Sequence, residues 1–121
     1  MSAPHKMVLI VRMDLNMSQG KIASQCAHAA LACYLRGTRS IFNYFLTKEW
    51  LLLGQAKVVL KVNSETELVS LAEKAERAGL ITCPVMDAGR TQVGMGTVTV
   101  LGIGPAPSSK IDTVTSHLRL L

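Results

Sequence analysis

The chain holds 121 residues, 49% of them apolar, with 13 Lys and Arg against 8 Asp and Glu, a formal net charge of +5 and a pI near 9.4. It is too apolar for a disordered segment and long enough for one domain with a real core, and no run approaches the roughly 20 apolar residues of a membrane helix. The excess of cations points to a polyanionic partner such as nucleic acid, but aromatic residues make up only 4% and are not interleaved with cations in a strand, which speaks against base stacking and leaves RNA phosphate and sugar as the groups to contact.

Met1 to Lys6 is short and polar, without the apolar stretch of a secretory leader. The first predicted element is a strand, Lys6 to Met13, almost continuously apolar and so expected to be covered on both faces. A turn follows from Asp14 to Gly20, with Asn16, Ser18 and Gly20 as turn formers. A helix rich in small residues then runs to about Tyr34 or Leu35. Its register puts Lys21, Gln25, His28 and Ala32 in one stripe and Ile22, Cys26, Ala29 and Cys33 in the next. Three polar side chains capable of chemistry thus share a line, while small residues permit close packing. Lys21 stands in the first turn, where the helix dipole disfavours a cation. An anionic ligand at the helix N-terminus accounts for such a lysine; so does plain solvation.

Gly37 marks a break, and a second helix is expected from Ser40, as N-cap, to Leu53, with Gly54 as the stop. It is apolar nearly all round, which implies either deep burial or cover by another chain, as at a dimer surface. Lys57 to Val62 reads as a second strand. Ser64 caps a third helix, Glu67 completes a capping box, Leu68, Leu71, Ala72, Ala75 and Ala78 give the core face, and Gly79 ends it. Leu80 to Met86 and Thr97 to Ile103 are the third and fourth strands, joined by the loop from Asp87 to Gly96. Pro105 and Pro107 break the chain, and Ser108 or Ser109 starts a last helix to about His117. Strands separated by helices imply parallel neighbours with helices on both faces, and the direct strand–loop–strand link implies an antiparallel pair. The class is therefore α/β, one domain over residues 1–121, on a mixed sheet.

Asp87 and Thr91 fall where the third strand ends and a glycine-bearing loop begins, the place where ligands gather in open α/β sheets; an aspartate shortly before Gly89 is also an ordinary turn. Arg90 carries a charge suited to phosphate or to solvent. His28 is a general base by its chemistry, or a hydrogen-bonded structural residue. Gln25 suits the orientation of a water or a substrate carbonyl, or is a satisfied half-buried amide. The cysteines Cys26, Cys33 and Cys83 are odd in number and lack metal-ligand spacing. They read as buried thiols of a reducing compartment; the expected location is cytoplasmic, or mitochondrial for a eukaryotic full-length form. Gly102-Ile103-Gly104 meets Pro105 and lacks the third glycine of a nucleotide loop, and there is no P-loop, no Gly-x-Ser-x-Gly elbow and no pair of histidines at metal spacing.

Two long motifs carry a family resemblance. The opening stretch from Lys6 to Ala30, with Gly20-Lys21-Ile22-Ala23-Ser24-Gln25-Cys26-Ala27-His28 at its centre, resembles the start of the archaeal and eukaryotic type 2 peptidyl-tRNA hydrolases. So does Asp87-Ala88-Gly89-Arg90-Thr91-Gln92, followed by Gly96-Thr97-Val98-Thr99-Val100-Leu101-Gly102-Ile103-Gly104-Pro105. The likeness covers Lys6 to Leu121. Ser18 and Gln19 depart from the family's Gly-Lys-Gly-Lys run and remove one cation that would draw phosphate. The resemblance implies an α/β/α sandwich on a four-stranded mixed sheet, a homodimer, no metal and no cofactor. It also implies cleavage of the ester between a peptide and the 3′ ribose of tRNA, which recycles stalled peptidyl-tRNA. By motif position the family's catalytic lysine, aspartate and threonine fall on Lys21, Asp87 and Thr91.

Ester hydrolysis needs an activated water and a stabilised oxyanion. Asp87 is expected to orient or deprotonate the water with Thr91 completing a relay, and Lys21 with the helix N–H groups to meet the developing negative charge. Gln25, His28, Arg90, Gly96, Thr97 and Arg12 are the expected substrate contacts, with Lys110 a further cation for phosphate. The competing reading is a non-catalytic tRNA-binding or oligomerising module on the same fold.

Overall fold

The computed structural model describes residues 3–88 and 96–121. Its elements run β1 (His5–Arg12), α1 (Gln19–Thr38), α2 (Tyr44–Leu52), β2 (Lys57–Val62), α3 (Glu65–Arg77), β3 (Thr82–Met86), β4 (Val98–Pro107), α4 (Ser108–Thr115) and β5 (Arg119–Leu120). The strands make one sheet in the order β3-β4-β1-β2-β5. β1 and β2 are parallel, joined through α1 and α2, and the β1–β4, β3–β4 and β2–β5 pairs are antiparallel. The mixed sheet follows from this connectivity: a helical crossover gives the parallel pair, the direct loop from β3 to β4 gives one antiparallel pair, and the other two join strands distant in the chain.

β1 is central, and its alternation divides the core. Val8 and Ile10 join Leu68, Leu71 and Ala75 of α3 and Ile111 and Val114 of α4 on one face. Met7, Leu9 and Val11 join Cys26, Ala29 and Cys33 of α1 and Trp50 of α2 on the other. The result is a three-layer α/β/α sandwich, and the unbroken apolar run of β1 is the signature of a strand covered on both sides.

The expected four-stranded sheet is corrected to five strands. β5 adds Arg119 and Leu120 to the free edge of β2, opposite Lys61 and Leu60. Two residues carry no period that a sequence reading can detect; pairing with an open edge makes this strand. β4 also runs on through Pro105 to Pro107 instead of stopping at Ile103. Its pairing with β3 ends at Ile103, so the proline stretch faces β1 alone, where Ala106 and Pro107 lie opposite Lys6 and His5 beyond a register shift. A missing N–H is tolerated there.

α1 does not stop before Gly37 but continues to Thr38. The glycine is a point of close approach: a Cβ on it would stand 2.9 Å from Cγ2 of Thr47 in α2. α2 starts later than expected, because residues 41–43 form turns in which Asn43 Nδ2 donates to Ser40 Oγ at 3.1 Å. Trp50 turns into the core and its ring N–H donates to the Ala56 carbonyl at 2.9 Å. The opposite side of α2 and the turn before it leave Ile41, Phe42, Phe45 and Leu52 82–96% exposed. Among the described residues no helix is long and apolar enough to cross a membrane.

Candidate functional site

The site is built from the start of α1, the end of β3 and the start of β4. Ser18 caps α1, with its Oγ accepting the Lys21 backbone N–H at 3.2 Å. This fixes the first turn and aims the Lys21 side chain across to β3, where its Nζ donates to Asp87 Oδ1. The Lys21 side chain is 10% exposed and that of Asp87 fully buried. A buried carboxylate is costly unless it is paired and hydrogen-bonded, and Lys21 supplies a pairing charge. The same ammonium is thereby held at the N-terminal end of a helix, beside backbone N–H groups that already favour an anion.

Asp87 is fixed by its backbone as well. Its N–H donates to the Thr97 carbonyl at 2.8 Å, and the Gly96 N–H returns to the Asp87 carbonyl at 3.0 Å. Gly96 has φ of +82°, a left-handed conformation that suits glycine. The two ends of the Asp87–Gly96 loop are therefore stapled together, with Gly96 exposed and Thr97 half-buried beside Asp87. Thr91 and Arg90 lie outside the described residues.

One turn after Lys21, buried Gln25 donates through Nε2 to Thr99 Oγ1 at 2.7 Å. The Thr99 hydroxyl also stands 3.3 Å from the Val85 carbonyl of β3. Thr99 reaches α1 because it is the extra residue of a bulge: Val85 pairs with Val100 and Met86 with Val98. A bulge redirects a side chain in this way next to many active sites. Gln25 thus ties α1 to β4 directly beneath the Lys21–Asp87 pair. His28, one turn further, is exposed on α1.

Arg12 is 6% exposed, with its guanidinium engaged inside the protein. Nε and Nη2 donate to Asp14 at 3.1 and 2.8 Å, and Nη1 reaches Glu65 at 3.3 Å and the Val98 carbonyl at 3.2 Å. The hydrogen bonds from Arg12 hold the Asp14 carboxyl below its usual range, burial opposing and the guanidinium charge assisting. Lys110 stands exposed on α4, across the sheet from α1. The structure therefore brings Lys21, Asp87, Gln25 and Thr97 together, sets Arg12 behind them as a brace, and leaves His28 on the outer surface of α1.

Sequence reasoning missed Thr99, the cap role of Ser18, and the Asp14 and Glu65 partners of Arg12. Thr99 had a signal: it is the one hydroxyl inside the apolar run Val98 to Leu101. An arginine at the end of a buried strand with Asp14 two residues on was a signal too.

The class that fold and site define is a three-layer α/β/α sandwich with a buried lysine–aspartate pair between a helix start and a strand end. Residues 5–121 match the family model described as peptidyl-tRNA hydrolase PTH2, and the chain belongs to this family. It is similar to the bovine mitochondrial peptidyl-tRNA hydrolase 2, at 50% identity over 98% of this chain and 65% of that protein. The human mitochondrial peptidyl-tRNA hydrolase 2 is 47% identical over the same shares of the two chains. The peptidyl-tRNA hydrolase of the archaeon Metallosphaera sedula is 51% identical over 96% of this chain and 99% of its own length. The chain thus spans 65% of the mammalian relatives and nearly all of the archaeal one.

Proposed function

We propose that this protein is a peptidyl-tRNA hydrolase, cleaving the ester between a peptide's C-terminal carboxyl group and the 3′ ribose of tRNA to release both. The observation that carries the reading is the contact between Lys21 and Asp87, two motif residues 66 positions apart in the chain. Membership of the family and the names of its relatives support the same activity.

In this mechanism Asp87 orients and deprotonates the attacking water, and Thr91 extends the relay. Lys21, with the N–H groups opening α1, meets the charge that develops on the acyl oxygen or the leaving ribose oxygen. Lys21 then leaves Asp87 in part as the oxyanion forms. Gln25 and Thr97 hold the frame of the site and face the acyl–ribose linkage, with Gly96 giving the backbone room to approach it. Arg90 and His28 meet the sugar-phosphate chain, and Arg12 acts from within by holding Val98. The tRNA is gripped through phosphate and sugar, so affinity falls steeply with salt and depends little on base sequence. The exposed apolar face of α2 pairs two copies into a homodimer, and the protein works in the cytoplasm without a metal or cofactor.

The test is incubation with N-acetylated aminoacyl-tRNA and measurement of free tRNA. Asp87→Asn keeps the shape of the side chain, and Lys21→Ala removes the ammonium; each is expected to lower kcat by about 100- to 1,000-fold with tRNA affinity little changed. Equal losses of binding and turnover would make both residues mere anchors. Binding without any hydrolysis by the wild-type protein would favour the non-catalytic tRNA-binding module instead.

A further inference from the structure

We propose that Cys33 and Cys83 form a peroxide-sensitive thiol pair whose oxidation product is a disulfide between α1 and β3. The arrangement begins with a glycine. Cys83 lies opposite Gly102 in the β3–β4 ladder, and facing residues on adjacent strands carry their Cβ positions about 4.5–5.5 Å apart on one side of the sheet. Gly102 has no side chain there, and α1 fills the slot: the Cys33 Sγ stands 2.6 Å from where a Cβ on Gly102 would be. The two sulfurs are thus neighbours on one side of the sheet, which places the Cys33 thiol to donate to Cys83.

A cation completes the cluster. Arg36, one helical turn after Cys33, donates through Nη1 to the Thr82 carbonyl at 2.6 Å and stands 3.7 Å from Cys83 Sγ. Arg36 and Thr82 also line a cavity of about 300 Å³ together with Ser40, Asn43 and Glu76, which places open space one residue from buried Cys83. The hydrogen bond from Cys33 lowers the Cys83 thiol below its ordinary value; burial opposes, and Arg36 assists through its own hydrogen bond and charge. Structural cysteines in apolar cores shift the other way, as Cys26 does, pushed up by burial.

The chemistry balances with a peroxide as the oxidant. The Cys83 thiolate attacks one oxygen of hydrogen peroxide; an S–O bond forms, the O–O bond breaks, and the departing hydroxide takes a proton and leaves as water. Cys33 sulfur then attacks the sulfur of the Cys83 sulfenic acid. The S–S bond forms, the S–O bond breaks, and the Cys33 proton leaves with the hydroxyl as a second water. The cross-link joins the helix that opens with Lys21 to the strand that ends at Asp87.

The experiment treats the native wild-type protein with hydrogen peroxide at a dose that oxidises the exposed Met86, blocks remaining thiols, and maps peptides without reduction. The expected result is one intramolecular link between the Cys33 and Cys83 peptides, reversed by dithiothreitol, with Cys26 still alkylated. In Cys33→Ala the Cys83 sulfenic acid persists and is captured by dimedone. In Arg36→Leu the link forms roughly tenfold more slowly, for want of the cation that favours the thiolate. The proposal is overturned if all three thiols remain alkylatable after Met86 is oxidised, if the link involves Cys26 or a second chain, or if Arg36→Leu forms it at the wild-type rate.

Discussion

α1 and α3 begin alike and then diverge. Each is capped by a serine whose Oγ accepts the backbone N–H three residues on, Ser18 from Lys21 at 3.2 Å and Ser64 from Glu67 at 3.1 Å. In α3 that third position is an acid, its side chain accepts the Asn63 N–H at 3.2 Å, and the first turn holds Glu65 as well. Lys74 and Arg77 close the last turn, and Gly79 at φ +74° completes a Schellman motif through Gly79 N–H to Glu76 and Leu80 N–H to Ala75. In α1 the same third position is a lysine, and no acid stands in the first turn. The helix that obeys every local rule packs its stripe of Leu68, Leu71 and Ala75 on the core. A helix that breaks one has its misplaced charge answered from a distant strand, and such a local conflict marks the place to look for function.

Exchanging the two charges tests that contrast most severely. Lys21→Glu satisfies the local rule for α1, yet it places a second carboxylate beside buried Asp87. Turnover of N-acetylated aminoacyl-tRNA is expected to fall by at least about 100-fold, and the melting temperature to fall with it, because the buried charge loses its partner. Glu67→Lys breaks the rule for α3 at a cost of about 0.3–1 kcal/mol, seen in the urea midpoint, with turnover unchanged. Similar effects of the two substitutions on turnover would erase the distinction between the helices.

The serines give a finer version of the same contrast. Ser18→Ala and Ser64→Ala each lose a cap and about 1 kcal/mol of stability. Only Ser18→Ala is expected to lower kcat as well, since it frees the turn that aims Lys21 at Asp87. A matched fall in stability with kcat intact in both variants would mean that the cap of α1 is structural and nothing more.

α3 and β2 were legible to the residue because their determinants are local: a cap, a stripe and a stop in one case, a short β-branched run in the other. The end of α1 was not, because Gly37, a helix breaker by propensity, is retained for its contact with Thr47. The site divides in the same way. Lys21 stood out as a cation at the wrong end of a helix, and Asp87 as an acid at a strand end. Their meeting depends on the sheet order, which sets β3 beside β4 and β4 under α1, and no short-range pattern carries that. The Gln25–Thr99 bond depends further on one bulge residue, which a strict alternation would have turned to the other face.

The smallest expected effect concerns the bond between the two helix starts. Arg12 grips Asp14, in the loop that leads to α1, and Glu65, in the first turn of α3, while donating to the Val98 carbonyl next to Thr97. Its hold on Asp14 makes the stability of this junction depend on pH. The folded-state pKa of Asp14 lies below the unfolded value of 3.8, so the pair's contribution is fully present above that value and is lost as pH falls through the folded one. With the Asp14 side chain 35% exposed, solvent screening keeps the contribution under about 1 kcal/mol. The difference in urea midpoint between wild type and Asp14→Asn is therefore expected to be constant from pH 7 to about pH 5 and to shrink below about pH 4. A difference that instead stays flat down to about pH 2 would mean that Arg12 is held in place by Glu65 and the Val98 carbonyl, with Asp14 a bystander.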